Sequence, residues 1–220
     1  MMKNMRIVAA AFCLMLLGTG SSQATLIDRG GGLIYDDVLD VTWMQDAAYN
    51  WTTGYTDRLS WADATDFVSN LSYVDTVRGV TWYDWRLPTT FDPVSGWDTS
   101  GLSSELAYMY YVNLGYAANE SWDRYDPAPT SDNYNPFINL AYRAYWSETL
   151  SEYGNQAWYV HFHFGAQELN GLADGQYVWA VRDGDVAALT GTTPSVPEPG
   201  TLGLFGLALA GMGLVRRKKA

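Results

Sequence analysis

Apolar positions along the chain follow two different periods. Between Trp61 and Leu71 they recur at 61, 64, 67, 68 and 71, one face of a helix, and Ser60 with Asp63 resembles a capping box at its start. A second helix is predicted over Ser103 to Leu114, opened by a serine N-cap and closed by Gly115 in the C′ position. The period then shortens. Trp158, Val160, Phe162 and Phe164 alternate with Tyr159, His161 and His163, which predicts a strand turning the first set to a core and the second outward or toward another layer. A last strand is predicted from Gln176 to Arg182. Near the start, Gly30-Gly31-Gly32 leads into Leu33-Ile34-Tyr35 and then Val38 to Met44, short strands broken by Asp36-Asp37 and Asp40, which reads as a hairpin. Two helices set between early and late strands predict an α+β domain rather than a doubly wound sheet.

Two further apolar runs lie at the ends. Lys3 and Arg6 precede Ile7 to Leu17, and Ser22-Gln23-Ala24 supplies small residues, so residues 1–24 read as a signal peptide cut by signal peptidase after Ala24. Eleven apolar residues are fewer than the ~20 a spanning helix needs. Cys13, the single cysteine, lies inside this segment behind the bulky Phe12, which argues against a lipidated anchor. The mature chain then has no thiol, which removes disulfides, cysteine nucleophiles and thiolate metal sites. At the other end Pro197-Glu198-Pro199 precedes an uncharged run from Gly200 to Val215 and the bases Arg216, Arg217, Lys218 and Lys219. A helix over that run spans roughly 24 Å, enough for a transient transmembrane anchor with its basic end in the cytoplasm. The three parts together resemble the PEP-CTERM sorting signal of Gram-negative bacteria. That resemblance implies an exosortase as partner, cleavage at or near the motif in the inner membrane, and export to the cell surface or matrix of an exopolysaccharide producer.

Charge narrows the function of what lies between. From Thr25 to Val196 the chain has seven arginines and no lysine against 23 acids, a balance of −16. Such a body repels phosphate backbones, so nucleic-acid binding through a basic surface is excluded. With 48% hydrophobic residues, 15% aromatics and only 17% charged residues, the whole chain also lies far from the composition of disordered chains. No repeat or low-complexity segment divides it, so one domain is predicted over residues 25–190, followed by a Thr/Ser/Pro linker at 191–196.

Three motifs in that body, Trp85-Arg86-Leu87-Pro88-Thr89, Tyr145-Trp146-Ser147-Glu148-Thr149 and Trp179-Ala180-Val181-Arg182, resemble the Lcl C-terminal domain family. The opening Gly32 to Asp36, Thr42-Trp43-Met44 and the helix beginning at Trp61 match the same layout. The resemblance implies a C-type-lectin-like fold: a small twisted antiparallel sheet, flanking helices and long loops. In the family's namesake, a bacterial collagen-like adhesin, the domain is associated with sulfated glycosaminoglycans, a ligand that a body of this charge disfavours. Read as residues, the motifs are structural. Pro88 holds Leu87 extended, Arg86 has donors for loop carbonyls or a carboxylate, Trp146 and Trp179 are core aromatics, and Arg182 is expected to pair with a buried acid such as a neighbour of Asp183 or Glu148.

The segment Asn119 to Tyr145 carries the candidate chemistry. Trp122, Tyr125, Tyr134 and Tyr142 are interleaved with Asp123, Asp126, Asp132, Asn133 and Asn135, giving stacking faces and hydroxyl partners for a neutral sugar. Trp122, Tyr125, Asp126, Asp132, Asn133 and Tyr134 are the predicted binding residues. The same acids could hold Ca²⁺, although the spacing matches no EF-hand loop. His161 and His163 lack the His-Glu-x-x-His spacing of a zinc hydrolase. Formylglycine formation is ruled out with the missing thiol. The expectation is a non-catalytic polysaccharide-binding protein without a required cofactor. A glycan-cleaving hydrolase on the same scaffold and a structural or protein-adhesion module are the alternatives.

Overall fold

The computed structural model describes residues 25–119 and 135–187, and the end segments read as signal and transmembrane helices lie outside them. Among the described residues no helix is long and apolar enough to cross a membrane. The chain opens with β1 (Leu26–Asp28), β2 (Leu33–Asp36) and β3 (Val41–Met44), joined as antiparallel neighbours, and β9 (Val181–Asp183) closes this sheet in the order β1-β2-β3-β9. Helices α1 (Tyr49–Thr52) and α2 (Trp61–Ser69) follow, then the hairpin β4 (Tyr73–Asp75) and β5 (Val80–Trp82). Helix α3 (Glu105–Tyr108) runs into a π-helical turn at Met109–Asn113. The antiparallel meander β6 (Ala144–Leu150), β7 (Gln156–His161) and β8 (Ala166–Gly171) completes an α+β architecture of three short sheets.

Helix α2 forms where the apolar spacing places it. The Ser60 hydroxyl accepts from the Asp63 N–H at 3.2 Å and donates to its carboxylate, while Ala64, Phe67 and Val68 are buried. The N-terminal hairpin also forms as expected, with Ile34 opposite Trp43. The glycine triplet is a turn of three left-handed residues. At Gly32, φ is +78°, and a side chain would run into the Tyr73 hydroxyl, which donates to the Gly31 carbonyl at 2.7 Å.

Both faces of this sheet are covered. Leu33 and Met44 belong to one core with Phe67, Val68, Trp85, Trp146 and Ala180, whereas Ile34 and Trp43 belong to a second with Leu106, Tyr110, Tyr145, Phe162 and Trp179. Successive strand side chains point to opposite faces, so the strand pairs 33/34, 43/44 and 145/146 divide between the two cores, and Trp179 and Ala180, in the segment leading into β9, divide the same way. Burial on both sides turns alternation into continuous apolar runs.

Three local expectations are corrected. The second helix is capped by Ser104, not Ser103, and only four residues are α-helical before the π turn, although Gly115 does take the left-handed C′ conformation with φ +66°. The alternating strand stops at His161, because a turn at 162–165, with Gly165 at φ +79°, reverses the chain into β8. Phe162 and Phe164 remain buried without strand pairing, and His163 is buried as well, the second of the two placements expected for it. The last strand shrinks to Val181–Asp183, since Gln176 bridges Leu59 and Tyr177 bridges Tyr145, carrying the chain between sheets.

Candidate functional site

The three sequence motifs meet and hold one another. Arg86 exchanges both backbone hydrogen bonds with Val181, at 2.8 and 3.0 Å. The Glu148 N–H donates to the Pro88 carbonyl at 2.9 Å, and the Thr89 hydroxyl donates to the Glu148 carboxylate at 2.7 Å. The Trp146 N–H donates to the Tyr177 carbonyl, linking the second motif to the segment leading into the third. Inside this frame the Arg86 guanidinium forks onto Glu105 with two 2.8 Å bonds and reaches Asp183 at 2.6 Å. Glu105 is the first residue of α3 and is buried, so Arg86 ties the motif, α3 and β9 together. Burial works against the guanidinium charge, but Glu105 and Asp183 more than offset it and hold its pKa above the ordinary value.

Trp146 and Trp179 are fully buried, and their indole N–H groups donate to the carbonyls of Leu59 and Met44. The Tyr145 hydroxyl accepts from the Ala141 N–H. The Ser147 hydroxyl accepts from that of Thr90. Trp85 and Leu87 are buried in the first core. Arg182 pairs with Asp84 at 2.7 Å rather than with Glu148, and its guanidinium lies 4.1 Å from the centroid of the Trp82 ring. That bond holds the Asp84 carboxyl below the usual range. The motif side chains are therefore engaged with the protein itself.

A different set of side chains faces outward around a cleft of about 470 Å³, lined by Ala48, Trp51, Tyr55, Thr56, Asp57, Asn139, Leu140, Ala141 and Tyr177. It is built from three stretches distant in sequence. The Asp46 carboxylate starts α1 by accepting from the Ala48 N–H at 3.0 Å and the Thr52 hydroxyl at 2.9 Å. Helix α1 carries Trp51, and the loop beyond it is clamped by the buried Asn50, whose amide donates to the Thr56 carbonyl at 2.7 Å. Tyr55 is braced edge-on against Phe67 at 5.1 Å. Asp46 and Ile138 form a parallel bridge, and Asn139, in the left-handed conformation at φ 56°, donates to the Asp46 carboxylate at 3.0 Å. Tyr177 closes the third side. Its ring lies 5.7 Å from Tyr145, and its hydroxyl reaches the Asp57 carboxylate at 3.5 Å.

In this cleft Trp51 and Tyr55 are 58% and 56% exposed. Tyr55, braced by Phe67, and Trp51, carried on α1, offer apolar faces beside a carboxylate, a carboxamide and a hydroxyl. That is the chemistry a sugar needs, with C–H surface to stack and hydroxyls to bond. The sequence signal for it was the run Trp51-Thr52-Thr53-Gly54-Tyr55-Thr56-Asp57, two aromatics in a polar, glycine-containing stretch outside any apolar period. A second hollow of about 310 Å³ lies along Asp92 to Ser103. Burial favours a raised Asp98 pKa, but bonds from Ser100 and Ser103 hold it low, and these are the loop's own turn contacts.

The predicted binding residues Trp122, Tyr125, Asp126, Asp132, Asn133 and Tyr134 lie outside the described residues, as do the sorting-signal positions Pro197, Glu198, Pro199, Arg216 and Arg217. Among the described residues no three His, Cys, Asp or Glu side chains gather as metal ligands. The His161 and His163 rings stand 6.3 Å apart, both against Phe164. Burial, then His163 and Arg143, pushes His161 down to about 4, leaving it neutral at pH 7.

No curated protein and no solved structure matches the chain. The model of the PEP-CTERM protein-sorting motif matches residues 195–219, so the chain carries that signal for exosortase processing. The model of the Lcl C-terminal domain matches residues 32–182, from the glycine turn to the last strand and across all three motifs, and the chain belongs to the Lcl C-terminal domain family.

Proposed function

We propose that this protein is an exported, exosortase-sorted surface or matrix component whose single C-type-lectin-like domain binds polysaccharide without catalysis. The cleft of Trp51, Tyr55, Asp57, Asn139 and Tyr177 carries the reading, because large aromatic faces are left in solvent beside sugar-hydroxyl partners. Three short antiparallel sheets and abundant irregular chain support the lectin-like comparison. The sorting motif supports delivery outside the inner membrane. Family membership supports a carbohydrate-related role.

Binding at this cleft needs no cofactor, since stacking and direct hydrogen bonds supply the contacts. The full chain, purified in mild detergent, is expected to bind at least one member of a panel of neutral, amino and acidic polysaccharides, with and without chelator. Trp51→Ala is expected to weaken binding about tenfold, the lower part of the scale of one aromatic stacking contact, ~1–3 kcal/mol where a base stacks on such a ring. Binding abolished by chelator would move the site to a metal centre. Glycan turnover lost with one carboxylate would make the protein a hydrolase. Absence of any glycan binding would leave a structural or protein-adhesion role.

A further inference from the structure

The cleft has a charge as well as a shape. Asp57 lines it, Asp46 stands behind Asn139, and no lysine or arginine is among the lining residues. Arg58 follows Asp57 in the chain, but its stem runs along Gly175, outside the lining. Of the other described arginines, Arg29 pairs with Asp185, Arg78 with Asp75, Arg86 with Glu105 and Asp183, and Arg182 with Asp84, while the exposed Arg143 donates to the Tyr142 carbonyl and is not among the lining residues. Asp57, by contrast, meets the Tyr177 hydroxyl only at the long distance of 3.5 Å and forms no salt bridge with a described residue. The surrounding body, at −16 between Thr25 and Val196, adds a field of the same sign.

Resting on the polysaccharide reading above, we infer that the cleft selects glycans bearing free amino groups, with the sugar ammonium held by Asp57 and the ring seated on Trp51 and Tyr55. An ammonium beside these rings gains from the carboxylate and from the aromatic faces together. A uronate or sulfate in the same place meets Asp57 and the general field as like charges. An N-acetylated sugar keeps the stacking surface but has no cation.

Titration calorimetry of the full chain with a glucosamine hexamer, an N-acetylglucosamine hexamer and a uronate hexamer tests this directly. The glucosamine hexamer is expected to bind about two- to fivefold tighter than its acetylated counterpart, the size of one exposed ion pair. Added salt shrinks that preference. Asp57→Asn is expected to abolish it, so that this variant binds the two hexamers equally, whereas Trp51→Ala weakens both and keeps their ratio. Glu152→Gln removes one acid from the β6–β7 turn, at the opposite end of β6 from Ala141 and the cleft, and is expected to keep the preference. Equal loss in Asp57→Asn and Glu152→Gln would overturn the inference in favour of attraction by net charge alone. Trp51-dependent binding with no amino-sugar preference, or a preference for uronate, overturns the inference but leaves the polysaccharide reading standing. Failure to bind any hexamer or polysaccharide overturns both.

Discussion

Trp146 is fully buried between β6 and α2, its indole N–H bonded to the Leu59 carbonyl, whereas Trp51 is 58% exposed at the rim of the cleft. The contrast extends to their surroundings. Around Trp146 the three family motifs bond to one another, and their two arginines are matched by acids of the protein itself. Around Trp51 the backbone is clamped by Asn50, Asp46 and the Ile138 bridge, while the side chains that could meet a ligand are left uncovered. The family motifs thus form the frame of this domain, and the proposed binding chemistry lies on the less distinctive loop beside it.

Substitutions separate the two regions. The largest effect is expected in the frame at Arg86. Arg86→Ala leaves the buried Glu105 carboxylate without its partner and should cost about 3–5 kcal/mol, read from denaturant midpoints. Arg86→Lys, which keeps the charge but cannot span Glu105 and Asp183 in one fork, should cost less. A cost below ~1 kcal/mol for Arg86→Ala would show that the three motifs are not a mutually dependent frame.

Asp75 is the next test. It is fully buried and accepts from the N–H groups of Val77 and Arg78, the Arg78 guanidinium and the Trp82 indole. Burial alone would raise its pKa, but these donors together hold it below the usual value. A depressed carboxylate contributes stability that is present above its unfolded pKa, ~3.9, and is lost as pH falls through the lower folded value. Asp75→Asn should therefore cost about 1–3 kcal/mol at neutral pH, and the gap to the parent should narrow only below about pH 4. A gap that closes near pH 6 would contradict this assignment. A smaller effect, about 1 kcal/mol, is expected from Ser60→Ala, which removes the α2 cap behind Tyr55 and Phe67. Thermal unfolding measures it.

Legibility from sequence followed how local each feature is. Helix α2 was readable because its cap and its apolar stripe sit within twelve consecutive residues, and the hairpin because its turn glycines and aspartates punctuate the strands. The end of the Trp158 strand was not. Phe162 and Phe164 stay buried in a turn, so apolar alternation outlasts the hydrogen-bonded ladder by three residues. The Gln176 strand misled for a related reason, since Val178 and Ala180 are buried in one core and Trp179 in the other without being strand residues. Arg182 found Asp84 through the approach of the β5 end to β9, which no spacing reveals. The cleft was the least readable feature, because residues 48–57, 139–141 and 177 converge only through bridges at Ile138, Gln176 and Tyr177. The stretch that did look like a binding loop, Asn119 to Tyr145, has its predicted residues outside the described structure.

The division between frame and cleft is tested most directly by measuring one variant, Trp51→Ala, for both thermal unfolding and binding to the tightest glycan of the panel. Exposed Trp51 should leave stability within about 0.5 kcal/mol of the parent while binding falls about tenfold. A variant that unfolds as readily as a core tryptophan deletion, or one that keeps full glycan affinity, would contradict the account.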